Sequence, residues 1–117
     1  MKVKRIVANL SAQKIKSARR FYEGVLGLDL LMDLGWIATY GSTTKMPIQI
    51  SIASEGGSGT KVPDLSIEVD DVDEAYAKMK KARFKIVYPI TDEPWGVRRF
   101  YVKDPMGKIV NILAHAR

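Results

Sequence analysis

The residue types present narrow the possible chemistry before any fold is considered. The chain has no cysteine, so disulfides, thiolate nucleophiles and cysteine-ligated zinc or iron–sulfur centres are excluded. The one histidine, His115, falls two residues beyond the last apolar strand position. With no serine and acid arranged around it for a nucleophilic triad, it is expected to be an ordinary terminal residue. What remains is aromatic, amide and guanidinium chemistry. Trp36 and Trp95 offer flat faces for stacking a ligand, against the competing reading of core or lid residues. Arg98 and Arg99 are adjacent on an expected strand, so they point to opposite faces; one can meet an anionic group while the other is solvated. Gln49 and Ser51 alternate with Ile48, Ile50 and Ile52, which places an amide and a hydroxyl on the polar side of a half-buried strand.

Positioning these groups requires a particular set of elements. Residues 3–10 read as a strand. Ile15, Ala18, Phe21, Tyr22, Val25 and Leu26 then follow helical spacing across residues 14–25, with Gly24 and Gly27 as the stop. Residues 28–32, 36–40 and 48–52 read as strands, separated by a turn at Gly35 and a polar turn over residues 41–45. The run Glu55-Gly56-Gly57-Ser58-Gly59-Thr60 reads as a flexible linker near mid-chain. The second half repeats the plan. Residues 65–69 alternate as a strand. Asp71-x-x-Glu74 is a capping box for a helix whose buried stripe is Val72, Ala75, Tyr76, Met79 and Ala82. Residues 84–87 return as a strand, 89–96 as a loop and 97–102 as a strand. Asp104-Pro105-Met106-Gly107 is a tight turn into a last strand at 109–113. The order is βαβββ twice. The expectation is one α+β domain over 1–117, with module 1 about 1–54, the linker about 55–61 and module 2 about 62–117. Such duplication sets two half-sheets around a shared cleft, a natural ligand site.

Three segments in the right order carry a family resemblance. Arg20-Phe21-Tyr22-Glu23-Gly24-Val25-Leu26-Gly27-Leu28 resembles the FYxxxLG segment of the vicinal oxygen chelate superfamily, the group of glyoxalase I, bleomycin-resistance proteins and extradiol dioxygenases. Phe100-Tyr101-Val102-Lys103-Asp104-Pro105-Met106-Gly107-Lys108-Ile109-Val110-Asn111 resembles its strand–DPxG–strand hairpin. Asp92-Glu93-Pro94-Trp95-Gly96-Val97-Arg98 is similar to a segment of the glyoxalase and bleomycin-resistance branch. The resemblance implies paired βαβββ modules in a curved mixed sheet, and commonly a homodimer. It also implies a divalent metal held by His and Glu on inward-facing strand positions. Here those positions fall on Val7, on Gln49 or Ser51, on Asp64 and on Asn111. Val7 has no donor atom, three of the others are neutral, and only Asp64 is a fair ligand. The expectation is therefore no metal and no cofactor.

With the metal gone, the resemblance still implies a lined cleft: Trp36, Gln49, Ser51, Asp64, Trp95, Arg99, Tyr101 and Asn111. The leading reading is a binding protein that sequesters an aromatic or anionic small molecule. The alternative is a metal-independent or weakly metal-dependent lyase or isomerase, with Asp64 and Tyr101 as an acid–base pair and Arg99 beside them. A net charge of +6 raises a third reading, a nucleic-acid-associated module. The basic residues on residues 14–20 and 78–85 look instead like solvent faces of amphipathic helices, so a nucleic-acid partner is not expected. No segment approaches the roughly 18–20 apolar residues of a membrane span. With no signal-peptide pattern and no disulfides, a cytoplasmic location and no membrane partner are expected.

Overall fold

The computed structural model describes residues 1–42 and 49–116. Residue Ile48, read above as strand, and the end of the expected 41–45 turn lie outside them. Among the described residues, eight strands of mixed direction and a few short helical segments make an α+β fold. The chain forms two compact units, Val7–Val62 and a second made of Met1–Ile6 with Pro63–Arg117. The first six residues therefore group with the second half of the sequence. A reciprocal pair of contacts accounts for this: the Lys2 amide donates to Asp70 Oδ1 at 2.7 Å, and the Asp70 amide donates to the Lys2 carbonyl at 3.1 Å.

In the unit Val7–Val62 the strands are β1 (Val3–Ser11, shared with the other unit), β2 (Asp29–Asp33), β3 (Ile37–Gly41) and β4 (Gln49–Ala53). β2–β3 and β3–β4 are antiparallel, and β4–β1 is parallel. Alternation gives one face to a core of Ile15, Ala38, Tyr40 and Ile52, in which Tyr22 stacks on Tyr40 at 5.7 Å. The segment expected as one amphipathic helix over 14–25 is a 3-10 turn, Ile15–Ser17, followed by a π-helix, Arg20–Val25. The Leu26 amide reaches back five residues to the Phe21 carbonyl. That wider turn takes the face off the 3.6-residue period, so Ile15 is buried while Phe21, Val25 and Leu26 are exposed. The glycine-rich stretch near mid-chain is an ordered turn rather than a free linker. Gly56 donates to the Thr60 carbonyl at 2.8 Å and Thr60 donates back to the Gly57 carbonyl at 3.0 Å. Gly57 and Gly59 sit at φ 84° and 74°, where a side chain would be strained.

The second unit repeats the topology. Its strands are β5 (Leu65–Val69), β6 (Ile86–Asp92), β7 (Val97–Lys103) and β8 (Ile109–His115), with helix α1 (Val72–Lys81). β5–β8 is parallel, and β8–β7 and β7–β6 are antiparallel. Asp71 caps α1 by accepting the Glu74 amide at 3.0 Å, the half of the capping box that matters most to orphan N–H groups. Ala82, expected in the buried stripe, is instead exposed at the helix C-cap. β6 runs through Pro89, which had marked a loop. Proline is tolerated on a strand with no partner on one side, and among the described residues β6 is an edge strand beside β7, with register shifts on both sides of Tyr88.

The two faces of this four-stranded sheet differ sharply. Val69, Phe100, Val102, Val110 and Ile112 pack with Val72 and Ala75 of α1 into the core. The opposite face takes the intervening residues. The register pairs Tyr101 with Asn111, Arg99 with Leu113, Ser66 with Asn111 and Glu68 with Leu113. Cross-strand partners share a face, so hydroxyls, an amide, a carboxylate and a guanidinium line one side of a sheet whose other side is apolar.

Candidate functional site

Arg99 is the centre of the polar face. Its side chain is 4% exposed and that of Glu93 is 2% exposed. Nε and Nη2 of Arg99 both reach Glu93 Oε2 at 2.7 Å, while Nη1 donates to the Tyr101 hydroxyl at 3.1 Å. The Tyr88 hydroxyl donates to both oxygens of Glu93 at 3.2–3.3 Å. Three rings surround the guanidinium carbon: Trp95 at 4.9 Å, Tyr101 at 5.0 Å and Tyr88 at 5.4 Å. Tyr88 and Tyr101 are also in ring contact with each other at 5.3 Å. Glu93 is placed by the tight turn into β7, where its amide donates to the Val97 carbonyl at 2.8 Å and Gly96 takes φ 89°.

Asn111 is 6% exposed. Its Nδ2 donates to Ser66 Oγ at 3.1 Å, and its Oδ1 is buried with no hydrogen-bond partner among the described residues. Further along the face, Glu68 receives Arg5 Nε, His115 Nδ1 at 3.0 Å and Lys4 Nζ at 3.6 Å. His115 is thus the end of a strand, tied to a buried acid, and not a loose terminal residue.

The sequence-derived site residues divide as follows. Arg99, Tyr101, Trp95 and Asn111 belong to one face of one unit. Asp64 is exposed at the start of β5, and its Oδ2 accepts the Ile109 amide at 2.9 Å. Its carboxylate pins β5 to β8 and does not meet Tyr101, so the expected acid–base pair is not formed; the charged partner of Tyr101 is Arg99. Gln49, Ser51 and Trp36 lie in the unit Val7–Val62, where Ser51 Oγ and Thr39 Oγ1 are 2.7 Å apart and the Trp36 carbonyl accepts the Ser54 amide at 3.0 Å. Of the adjacent arginines, Arg98 takes the other side, bridging Asp73 at 3.0 Å and Asp92 at 3.1 Å. Hydrogen bonds from it to Asp73 and then Asp92 raise its pKa above the ordinary value.

Glu93, Tyr88 and Glu68 were not reached from sequence. The available signal was an acid in the short turn leading to Arg99: Glu93 and Val97 flank a hairpin closed by Gly96, which brings the acid alongside the strand that carries Arg99.

The residues at the family's metal positions do not suit a divalent ion. Val7 is an apolar core residue, Asp64 is committed to a backbone amide, and Asn111 is a neutral amide bonded to Ser66. Among the described residues no three His, Asp or Glu side chains gather as a ligand set.

The Glu68 cluster gives the unit an acid-sensitive element. Burial would raise the pKa of this carboxyl, but the hydrogen bonds from His115 and Arg5 prevail and hold it below its ordinary 4.5. A carboxyl lowered in the folded state adds stability that is fully present above that ordinary value and is lost as pH falls through the lowered one. Glu68→Gln is therefore expected to be less stable than the parent at pH 6–7, with the gap narrowing below about pH 4.5. Urea titrations at a series of pH values measure it; a gap that stays constant from pH 7 to pH 3 would contradict the assignment.

The sequence pattern of the Glyoxalase-like domain matches residues 6–115. The chain belongs to the Glyoxalase-like domain family. Solved structures similar to this family member share its fold at low identity. One is described as an NAD-dependent benzaldehyde dehydrogenase from Legionella pneumophila, with TM-score 0.77 and 17% identity over 95% of this chain and 99% of that one. Another is a glyoxalase/bleomycin resistance protein/dioxygenase superfamily member from Vibrio splendidus 12B01, with TM-score 0.65 and 17% identity over 97% and 99%. A third is a methylmalonyl-CoA epimerase from Streptomyces coelicolor in complex with 2-nitronate-propionyl-CoA, with TM-score 0.73 and 14% identity over 99% and 100%. No curated protein matches. These relationships place the glyoxalase-like chain in the vicinal oxygen chelate superfamily, as the three sequence segments had suggested.

Proposed function

We propose that this glyoxalase-like protein binds a small, flat aromatic compound without a metal, on the polar face of the unit containing β5–β8. The observation that carries the reading is the guanidinium of Arg99 framed by Trp95, Tyr101 and Tyr88. A buried ion pair is a poor way to stabilise a sheet, since apolar residues of the same volume do as well or better. It is a good way to hold rings in fixed positions. Trp95 and Tyr88 are half-buried, so their rings are not wholly taken up by packing and present stacking surface at low entropic cost.

The anionic half of the sequence-based expectation loses its support at this site, because Glu93 already balances the charge of Arg99. The lyase or isomerase reading loses Asp64 as its acid. Similar structures described as an epimerase and a dehydrogenase, at 14–17% identity, share the fold and do not transfer a substrate.

The test uses Trp36→Phe, which leaves Trp95 as the remaining indole, in protein treated with a chelator. A panel of aromatic metabolites and antibiotics should contain members that quench Trp95 fluorescence saturably and raise the melting temperature together. A panel without any such member would reject the reading. So would a stoichiometric divalent ion whose return restores a catalytic activity.

A further inference from the structure

The reading above leaves the chemical class of the ligand open, and Asn111 narrows it. Its Oδ1 is the buried side-chain oxygen or nitrogen that has no partner among the described residues. Leaving such an acceptor unpaired is costly, because it has given up its bonds to water and gained none in return. Native proteins satisfy nearly all such groups, and the exceptions call for an explanation. The other half of the same amide is satisfied, with Nδ2 donating to Ser66 Oγ at 3.1 Å. Directly across the strand pair stands Tyr101, one of the three rings around Arg99. The orphan acceptor therefore lies beside the aromatic platform, on the same face.

We propose that Asn111 Oδ1 is the acceptor for an N–H or O–H of the ligand, so that the site selects aromatic compounds carrying a hydrogen-bond donor and rejects aromatic carboxylates. This rests on the binding reading above. The selection follows from charge as well as from the lone pair. The guanidinium that would have drawn an anion is matched by Glu93 at 2.7 Å, and a carboxylate placed against the Asn111 oxygen would set two acceptors facing each other. A donor repairs the orphan, whereas an isostere without one leaves it unpaired. Sites built this way discriminate strongly.

The probes are indole, 1-benzofuran and benzoate: nearly equal flat shapes with a donor, without one, and with a negative charge. Binding is followed by NMR shifts of the Trp95 indole N–H and the Asn111 side-chain amide. Indole is expected to bind about tenfold more tightly than 1-benzofuran, the worth of one buried hydrogen bond, and benzoate to cause no shift. Asn111→Leu should abolish the difference between indole and 1-benzofuran. Equal binding of the two to the parent protein, with shifts at Trp95, would overturn the donor assignment while leaving the binding reading standing. No shift at Trp95 with either probe would count against the binding reading itself, and a second measurement then decides this inference alone. In a Ser66→Ala background, where the Nδ2 bond is already gone, adding Asn111→Leu should raise the unfolding midpoint. A lowered midpoint would mean that Oδ1 is satisfied within the fold, and would overturn the proposal.

Discussion

Glu93→Ala should destabilise the protein by about 3–5 kcal/mol, the usual result of breaking a buried ion pair from one side. The loss comes less from the missing attraction than from what stays behind. Without Glu93, the Nε and Nη2 groups of Arg99 lose the carboxylate oxygen that both reach at 2.7 Å, and the Tyr88 hydroxyl loses both carboxylate oxygens. Glu93→Gln keeps the shape and part of the hydrogen bonding, so it should fall between the parent and the alanine variant. Arg99→Met combined with Glu93→Leu removes both charges and fills the volume; it should cost about 1–3 kcal/mol less than the sum of the two single changes. Urea denaturation of the parent, the two Glu93 variants, the two single changes and the double change, with the slope unchanged, provides the comparison. A Glu93→Ala loss under about 1 kcal/mol would mean that the pair is solvated as a surface pair is.

Phe100→Ala should cost a similar 3–5 kcal/mol for a different reason. Phe100 is 0% exposed and packs edge-on against Tyr76 of α1, with ring centres 4.9 Å apart. It gives the sheet an aromatic link to α1. Truncation loses the transfer energy of the ring and leaves a cavity that a sheet and a helix on opposite sides cannot close. Phe100→Leu, which refills most of the space, should lose about 1–1.5 kcal/mol. Val87→Ala, at an exposed site on β6, should change stability by less than about 0.5 kcal/mol. If the Phe100→Ala loss were as small as that of Val87→Ala, the packing of α1 described above would be wrong.

The fold was legible where local signals agreed with the global arrangement. Leu65-Ser66-Ile67-Glu68-Val69 alternates because one face meets α1 and the other meets polar neighbours. Asp71 and Glu74 marked the helix start, and the bond between them is present. Strand parity was enough to put Arg99 and Tyr101 on one face and Arg98 on the other. The failures have physical causes. A π-helical turn has no signature in a period tuned to 3.6 residues, so the exposure of Phe21, Val25 and Leu26 could not be read from spacing. Glycine content marks freedom of the backbone but not the hydrogen bonds that remove it, as between Gly56 and Thr60. Pro89 looked like a break because its tolerance depends on whether the strand has a second neighbour. Reading 89–96 as loop hid Tyr88 at its border and Glu93 within it, and with them the counter-charge that changes what Arg99 can bind. Counting to a family position found Asp64, but could not say that its carboxylate was already held by Ile109.

The first six residues carry a consequence for the order in which the chain can fold. Lys2 meets Asp70 across 68 positions and Arg5 meets Glu68 across 63, while His115 closes on the same acid from 47 positions further along the chain. On the ribosome residues 2–5 emerge well ahead of residues 68–70 and have to wait for them before these contacts can form. The Glu68 knot is finished only when residue 115 arrives. Arg5 and His115 are thus fastened at a single buried carboxylate, and such long loops close slowly. Refolding should accordingly be limited by a late joining of these distant segments, with Glu68 as the point where the loop is sealed.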